Sequence, residues 1–139
     1  MTTDRYLLDT CAMLFIARDE PVSRPVASLL GALPSYPTEI ALSAFSAWEI
    51  GLLVAKGHLT LERDPLTWFR IAASRFDVEV LVPTPSVLVA ASFLPEPMHG
   101  DPADRILIAT ARENDLTIIT RDRAILAYGA AGHVKVLAC

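Results

Sequence analysis

Four acidic residues stand where a polar turn meets an apolar run. Asp9 ends Tyr6-Leu7-Leu8 and Asp122 follows Thr117-Ile118-Ile119-Thr120, so both fall just beyond the carboxyl ends of predicted buried strands. Asp104 lies in HGDPADRILIATA, from His99 to Ala111, and Glu49 lies in SAFSAWEIGLLVAKG. Carboxylates brought within about 4 Å of one another repel by roughly 4 kcal/mol per pair at an effective dielectric near 20, so a cluster of them calls for a cation. All-oxygen ligation suits Mg²⁺ or Mn²⁺, and the lack of a Cys/His cluster argues against structural zinc. Such ions activate water and offset charge developing on a phosphate.

Each acid also has a plainer reading as a helix cap. Asp101 is a favoured N-cap, Pro102 suits the first helical position, and Asp104 at the third can complete a capping box. Ser46 and Glu49 have the same box spacing, Asp9 or Thr10 can start a helix at Cys11, and Asp122 can start one at Arg123. The helical register bears on the choice. Asp104, Leu107, Ile108 and Ala111 fall at i, i+3, i+4 and i+7, which places Asp104 on an apolar face. Phe45, Trp48, Glu49, Leu52 and Leu53 form a similar inward stripe on a helix closed by Gly57.

The elements that must position these acids follow from the apolar pattern. Strand-length runs occur at Tyr6 to Leu8, Glu39 to Leu42, Val78 to Val82, Thr117 to Ile119 and Val134 to Leu137, and they read as strands buried on both faces. Helical spacing occupies Cys11 to Ala17, Ser23 to Leu33, Phe45 to Lys56, Leu66 to Arg75, Ser86 to Phe93, Pro102 to Glu113 and Arg123 to Tyr128. This alternation predicts an α/β domain with a central, mostly parallel sheet flanked by helices. Such a sheet brings strand-to-helix junctions to its carboxyl edge, where ligands bind in open α/β folds.

Composition narrows the function classes. The chain has 139 residues, 53% hydrophobic and 20% charged, enough for one domain spanning 1–139 with a substantial core. The apolar excess points to a covered surface. A net charge of -4 repels nucleic acid at long range, so any RNA contact must be a local patch. Apolar runs are interrupted well before the roughly 20 residues that span a bilayer. MTTDRYLLDT lacks a basic region followed by an apolar signal core, which predicts a cytoplasmic protein. Cys11 and Cys139 are too sparse for a disulfide framework and read as buried or terminal thiols.

YLLDTCAML, SAFSAWEIGLLVAKG, HGDPADRILIATA and LTIITRDRAI, in that order over nearly the whole chain, resemble PIN-domain ribonucleases, specifically the VapC-like toxins of bacterial toxin–antitoxin pairs. The resemblance implies a PIN-like three-layer fold and a metal-dependent endoribonuclease whose Asp9, Glu49, Asp104 and Asp122 hold Mg²⁺ or Mn²⁺ for RNA phosphodiester hydrolysis. Asp101 remains an N-cap or an outer-sphere partner, and His99 is a surface or loop-packing histidine or an outer-sphere candidate. Thr10 and Thr120 resemble the hydroxyl positions that assist such sites. Arg105 and Arg121 are the first candidates for RNA phosphate contacts, and either can instead neutralise the acids. A homodimer and a cognate antitoxin covering the site are also implied.

Three other readings stand beside this one. A phosphatase of the haloacid dehalogenase type requires a second Asp two residues after Asp9, where Cys11 stands. A receiver domain requires an acid at the end of its third strand, where the chain reads Pro83-Thr84-Pro85. A catalytically silent binding module would use the acids only as caps.

Overall fold

Consecutive side chains of a strand point to opposite faces of a sheet, so a strand apolar at every position must be covered on both sides. The computed structural model, which describes residues 4–32, 38–75, 78–97 and 100–139, shows this arrangement. His99 and the predicted helix end at Leu33 lie outside the described residues. In chain order the elements are β1 (Asp4–Leu8), α1 (Thr10–Ala17), α2 (Arg24–Ala32), β2 (Thr38–Ser43), α3 (Ala44–Ala55) and α4 (Pro65–Arg75). They continue with β3 (Glu79–Leu81), α5 (Pro85–Ser92), α6 (Pro102–Asn114), β4 (Thr117–Thr120), α7 (Arg123–Ala130) and β5 (Lys135–Ala138).

The strands form one five-stranded sheet in the order β3-β2-β1-β4-β5, every pair parallel. Leu7, Ala41 and Ile118 face one side, where they pack with Val87 and Ala91 of α5, Leu107 and Ile108 of α6, and Ile125 of α7. Leu8, Ile40, Leu42 and Ile119 face the other, against Met13 and Ile16 of α1, Val26 of α2, Ile50 of α3 and Phe69 of α4. The result is three layers, with each fully buried Leu or Ile contributing about 1.5–3 kcal/mol.

Four expectations are corrected. The edge strands are not buried on both faces: Glu79, Val80, Lys135 and Ala138 are exposed, because an edge position has a neighbour on one side only. On α3, Trp48 points to solvent at 56% exposure while Ser46 and Ile50 are buried. The N-cap of α3 is Ser43, whose side chain accepts from Phe45 N at 3.1 Å, so Ser46 sits inside the helix and caps nothing. Cys11 is exposed, since it lies in the first turn of a helix that opens at the sheet's carboxyl edge.

Asp64 caps α4 through Thr67 N at 3.0 Å, and Gly57, at φ +75, takes the left-handed conformation that ends α3. Gly129 serves close packing between α7 and β5: a Cβ there would lie 2.4 Å from Val136 Cγ2 and 2.8 Å from its Cγ1. Gly129→Ala is therefore expected to destabilise by about 1–3 kcal/mol despite its better helix propensity. Urea unfolding checks this, and Val136→Ala should restore most of the loss.

Candidate active site

β1, β2 and β4 each deliver their carboxyl end to the start of a helix or to a residue beside one. Asp9 follows β1 directly and caps α1, its Oδ1 accepting from Ala12 N at 2.6 Å. Asp122 lies two residues beyond β4 and caps α7, its Oδ1 accepting from Ile125 N at 3.0 Å. Asp101 caps α6 by accepting from Ala103 N at 2.9 Å, which leaves Asp104 one turn inside that helix. Glu49 projects from the second turn of α3. The capping readings of Asp9, Asp101 and Asp122 are thus correct.

Capping does not take these acids away from the cleft. Asp9, Glu49, Asp104 and Asp122 together line one opening of about 240 Å³, with Thr10, Cys11, Phe15, Leu107 and Arg121 completing its wall. Asp101 is exposed and does not line it, yet its charge acts on both Glu49 and Asp104. Among the described residues, no three Asp, Glu, His or Cys side chains converge as a finished metal coordination sphere. The donor set is nevertheless four carboxylates around one small cleft, the chemistry a hard divalent cation takes.

The electrostatics carry the mark of crowded like charges. Burial first, then the charges of Asp101, Asp122, Glu49 and Asp9, push Asp104 up to about 7 from an ordinary 3.8. Burial also raises Asp9, with Asp122 adding to it and bonds from Thr120 and Ala12 opposing it. Glu49 is raised by burial and by Asp101 and Asp9, against a hydrogen bond from Thr10. Partial desolvation where it lines the cleft, together with all four cleft acids, pushes the Cys11 thiol up to about 11, so it is a poor nucleophile.

Two threonines hold the carboxylates. Thr10 Oγ1 donates to Glu49 Oε1 at 2.5 Å, and a second bond of 2.9 Å joins the Thr10 and Ser46 hydroxyls. Thr120, fully buried, donates from Oγ1 to Asp9 Oδ2 and accepts from Asp122 N at 2.9 Å, linking two of the acids. Ser46 belongs to this chain of hydroxyls, which the sequence pattern hid by suggesting a cap. Thr120→Val is expected to cost about 1–3 kcal/mol, because it leaves a buried carboxylate oxygen and a backbone N–H without their partner. Chemical denaturation checks this.

The two arginines part company. Arg121 lines the cleft, its guanidinium carbon 4.1 Å above the centre of the Phe15 ring. Arg105 does not line it. Its Nε donates to Ala91 O at 2.9 Å, tying α6 to α5.

A larger cleft of about 870 Å³ lies at the opposite edge, where Thr117 begins β4 and Lys135 begins β5. Its Asp115 is paired with Lys135 at 2.6 Å, so it offers no comparable gathering of acids, and the chemistry marks the smaller opening.

The comparisons with known proteins agree with this architecture. Ribonuclease VapC22 of Mycobacterium tuberculosis is 34% identical over 90 residues, covering 65% of this chain and 68% of that protein. The structure of VapBC2 from Rickettsia felis bound to a promoter DNA fragment superposes with a TM-score of 0.70 at 16% identity, over 97% of this chain and 98% of that one. FitAcB from Neisseria gonorrhoeae gives a TM-score of 0.65 at 23% identity, over 95% and 96% of the two chains. At those identities the two structures speak to fold alone. The PIN domain family model matches residues 6–130, and with that span the chain belongs to the PIN domain family.

Proposed function

We propose that this chain is a Mg²⁺- or Mn²⁺-dependent endoribonuclease, the toxin of a toxin–antitoxin pair that blocks translation or growth by hydrolysing RNA. The observation that carries the reading is the gathering of Asp9, Glu49, Asp104 and Asp122 in one cleft, where burial first and neighbouring acids second raise Asp9, Glu49 and Asp104. Similarity to a ribonuclease supports it, and toxin–antitoxin structures share the fold.

In this reading the four acids hold the ion, and Thr10 and Thr120 fix the carboxylates of Glu49 and Asp9. Asp101 acts from outside through its charge. When bound, the ion supplies a Lewis acid that lowers the pKa of water and offsets charge on the phosphate. Water forms the new P–O bond as the ester P–O bond breaks, a cleft carboxylate takes the water's proton, and the departing ribose oxygen takes a proton from solvent water. Arg121 is the cation at the rim available to RNA, while Arg105 is a structural tie. The protein works in the cytoplasm, as a homodimer, with an antitoxin segment covering the cleft. No helix among the described residues is long and apolar enough to cross a membrane. Trp48, Val82, Val89 and Phe93 are exposed apolar side chains available to partner surfaces.

Incubating the purified chain with total cellular RNA tests the reading. RNA fragments are expected with Mn²⁺, none with chelator, and none from Glu49→Gln, whose fold should be intact. A catalytically silent binding module is the second reading, favoured by the capping bonds of Asp9 and Asp122. Intact RNA together with no saturable Mn²⁺ binding would select it.

A further inference from the structure

We infer that Phe15 and Arg121 form a stacking platform for one unpaired nucleobase beside the phosphate held at the acid cleft. The inference rests on the ribonuclease reading and adds to it the part of RNA that this wall recognises. Phe15 lies on α1 one turn beyond Cys11 and lines the same cleft as the acids. Its ring is half-buried, and the Arg121 guanidinium sits over it with the central carbon 4.1 Å from the ring centre.

The guanidinium is held on its edges as well as on one face. Nη2 donates to Pro21 O and Nε to Cys139 O at 3.3 Å. A guanidinium set over a ring and tied to two backbone oxygens is held in place, and Arg121 is exposed, which leaves room for a base beside it. Guanidinium is weakly hydrated and stacks on aromatic planes, and unpaired RNA bases stack on Arg and Phe alike. A side chain serving only to attract phosphate needs charge, which a flexible lysine supplies, and has no use for a ring under it. Base stacking also supplies affinity that does not depend on charge, which suits a protein of net charge -4.

The test uses eight-nucleotide single-stranded RNAs with 2-aminopurine walked through each position. Ca²⁺ replaces Mn²⁺, and gels confirm that the RNA stays whole. On the wild-type protein one position should show quenched fluorescence. Phe15→Leu and Arg121→Lys should each lose that quenching and bind about tenfold more weakly, while Phe15→Trp should keep both. An abasic nucleotide at the quenched position should remove the difference between wild type and Phe15→Leu. Thermal melting of each variant separates lost stacking from lost folding, and Phe15→Trp keeps the test open if Arg121→Lys unfolds. Full quenching and affinity in Arg121→Lys would overturn the inference, as would RNA that binds and is cut with no quenched position. Failure of the wild-type protein to bind RNA with either ion would remove the ribonuclease reading itself.

Discussion

Asp104→Asn is expected to stabilise the metal-free protein at pH 8 and to abolish its stabilisation by metal. Asp104 is pushed up to about 7 from 3.8, so the folded state holds its proton more tightly than the unfolded chain. The stability this contributes is fully present below pH 3.8 and is lost as the pH rises through about 7. Metal-free wild type should therefore melt progressively lower between pH 4 and pH 8. The neutral amide removes the charge, and the variant should melt a few degrees above wild type at pH 8 and show a flatter pH dependence. Mn²⁺ reverses the order. At about 100 times its dissociation constant it adds roughly 2.7 kcal/mol to the wild type, on the order of 10 °C. The variant should gain little. Calorimetric scans with chelator and with Mn²⁺ check both signs.

The second large effect separates capping from chemistry at Asp9. Its Oδ1 caps α1 through Ala12 N, and its Oδ2 takes the Thr120 hydroxyl while the residue lines the cleft. Asparagine caps a helix about as well as aspartate, whereas alanine does not. Asp9→Asn should keep nearly wild-type stability in chelator yet lose RNA cleavage by more than about a hundredfold, beyond what loss of an indirect partner costs. Asp9→Ala should lose the same activity and about 1 kcal/mol of stability besides. Cleavage rates beside urea midpoints check the pair. Equal activity in wild type and Asp9→Asn would reduce Asp9 to a cap.

Much of this was legible in the residues. Runs such as Leu7-Leu8 and Ile118-Ile119 predicted strands covered on both faces, and each does send one side chain to each core. The alternation of these runs with helical spacing led to the parallel sheet, and the sheet edge to the cleft. What the pattern could not reach were contacts made across the fold. Strand order is not written in any single strand, so the exposure of β3 and β5 was missed. Trp48 looked inward because it is apolar, but the helix turns Ile50 and the small Ser46 toward the core, where Ser46 meets Thr10. Arg105 adjoins an acid in sequence, and only packing reveals that it reaches back to Ala91. Cap and cleft residue were posed as alternatives at Asp9 and Asp122, whereas a carboxylate has two oxygens and a helix start can face a cleft.

Direct titration of Mn²⁺, followed by loss of its free paramagnetic resonance signal, tests most directly whether the four acids form one cation site. The wild-type protein should bind saturably at pH 8, more weakly as the pH falls below about 7, and Asp9→Asn, Glu49→Gln and Asp104→Asn should each lose most of that binding. Equal Mn²⁺ uptake by wild type and all three variants would contradict the account.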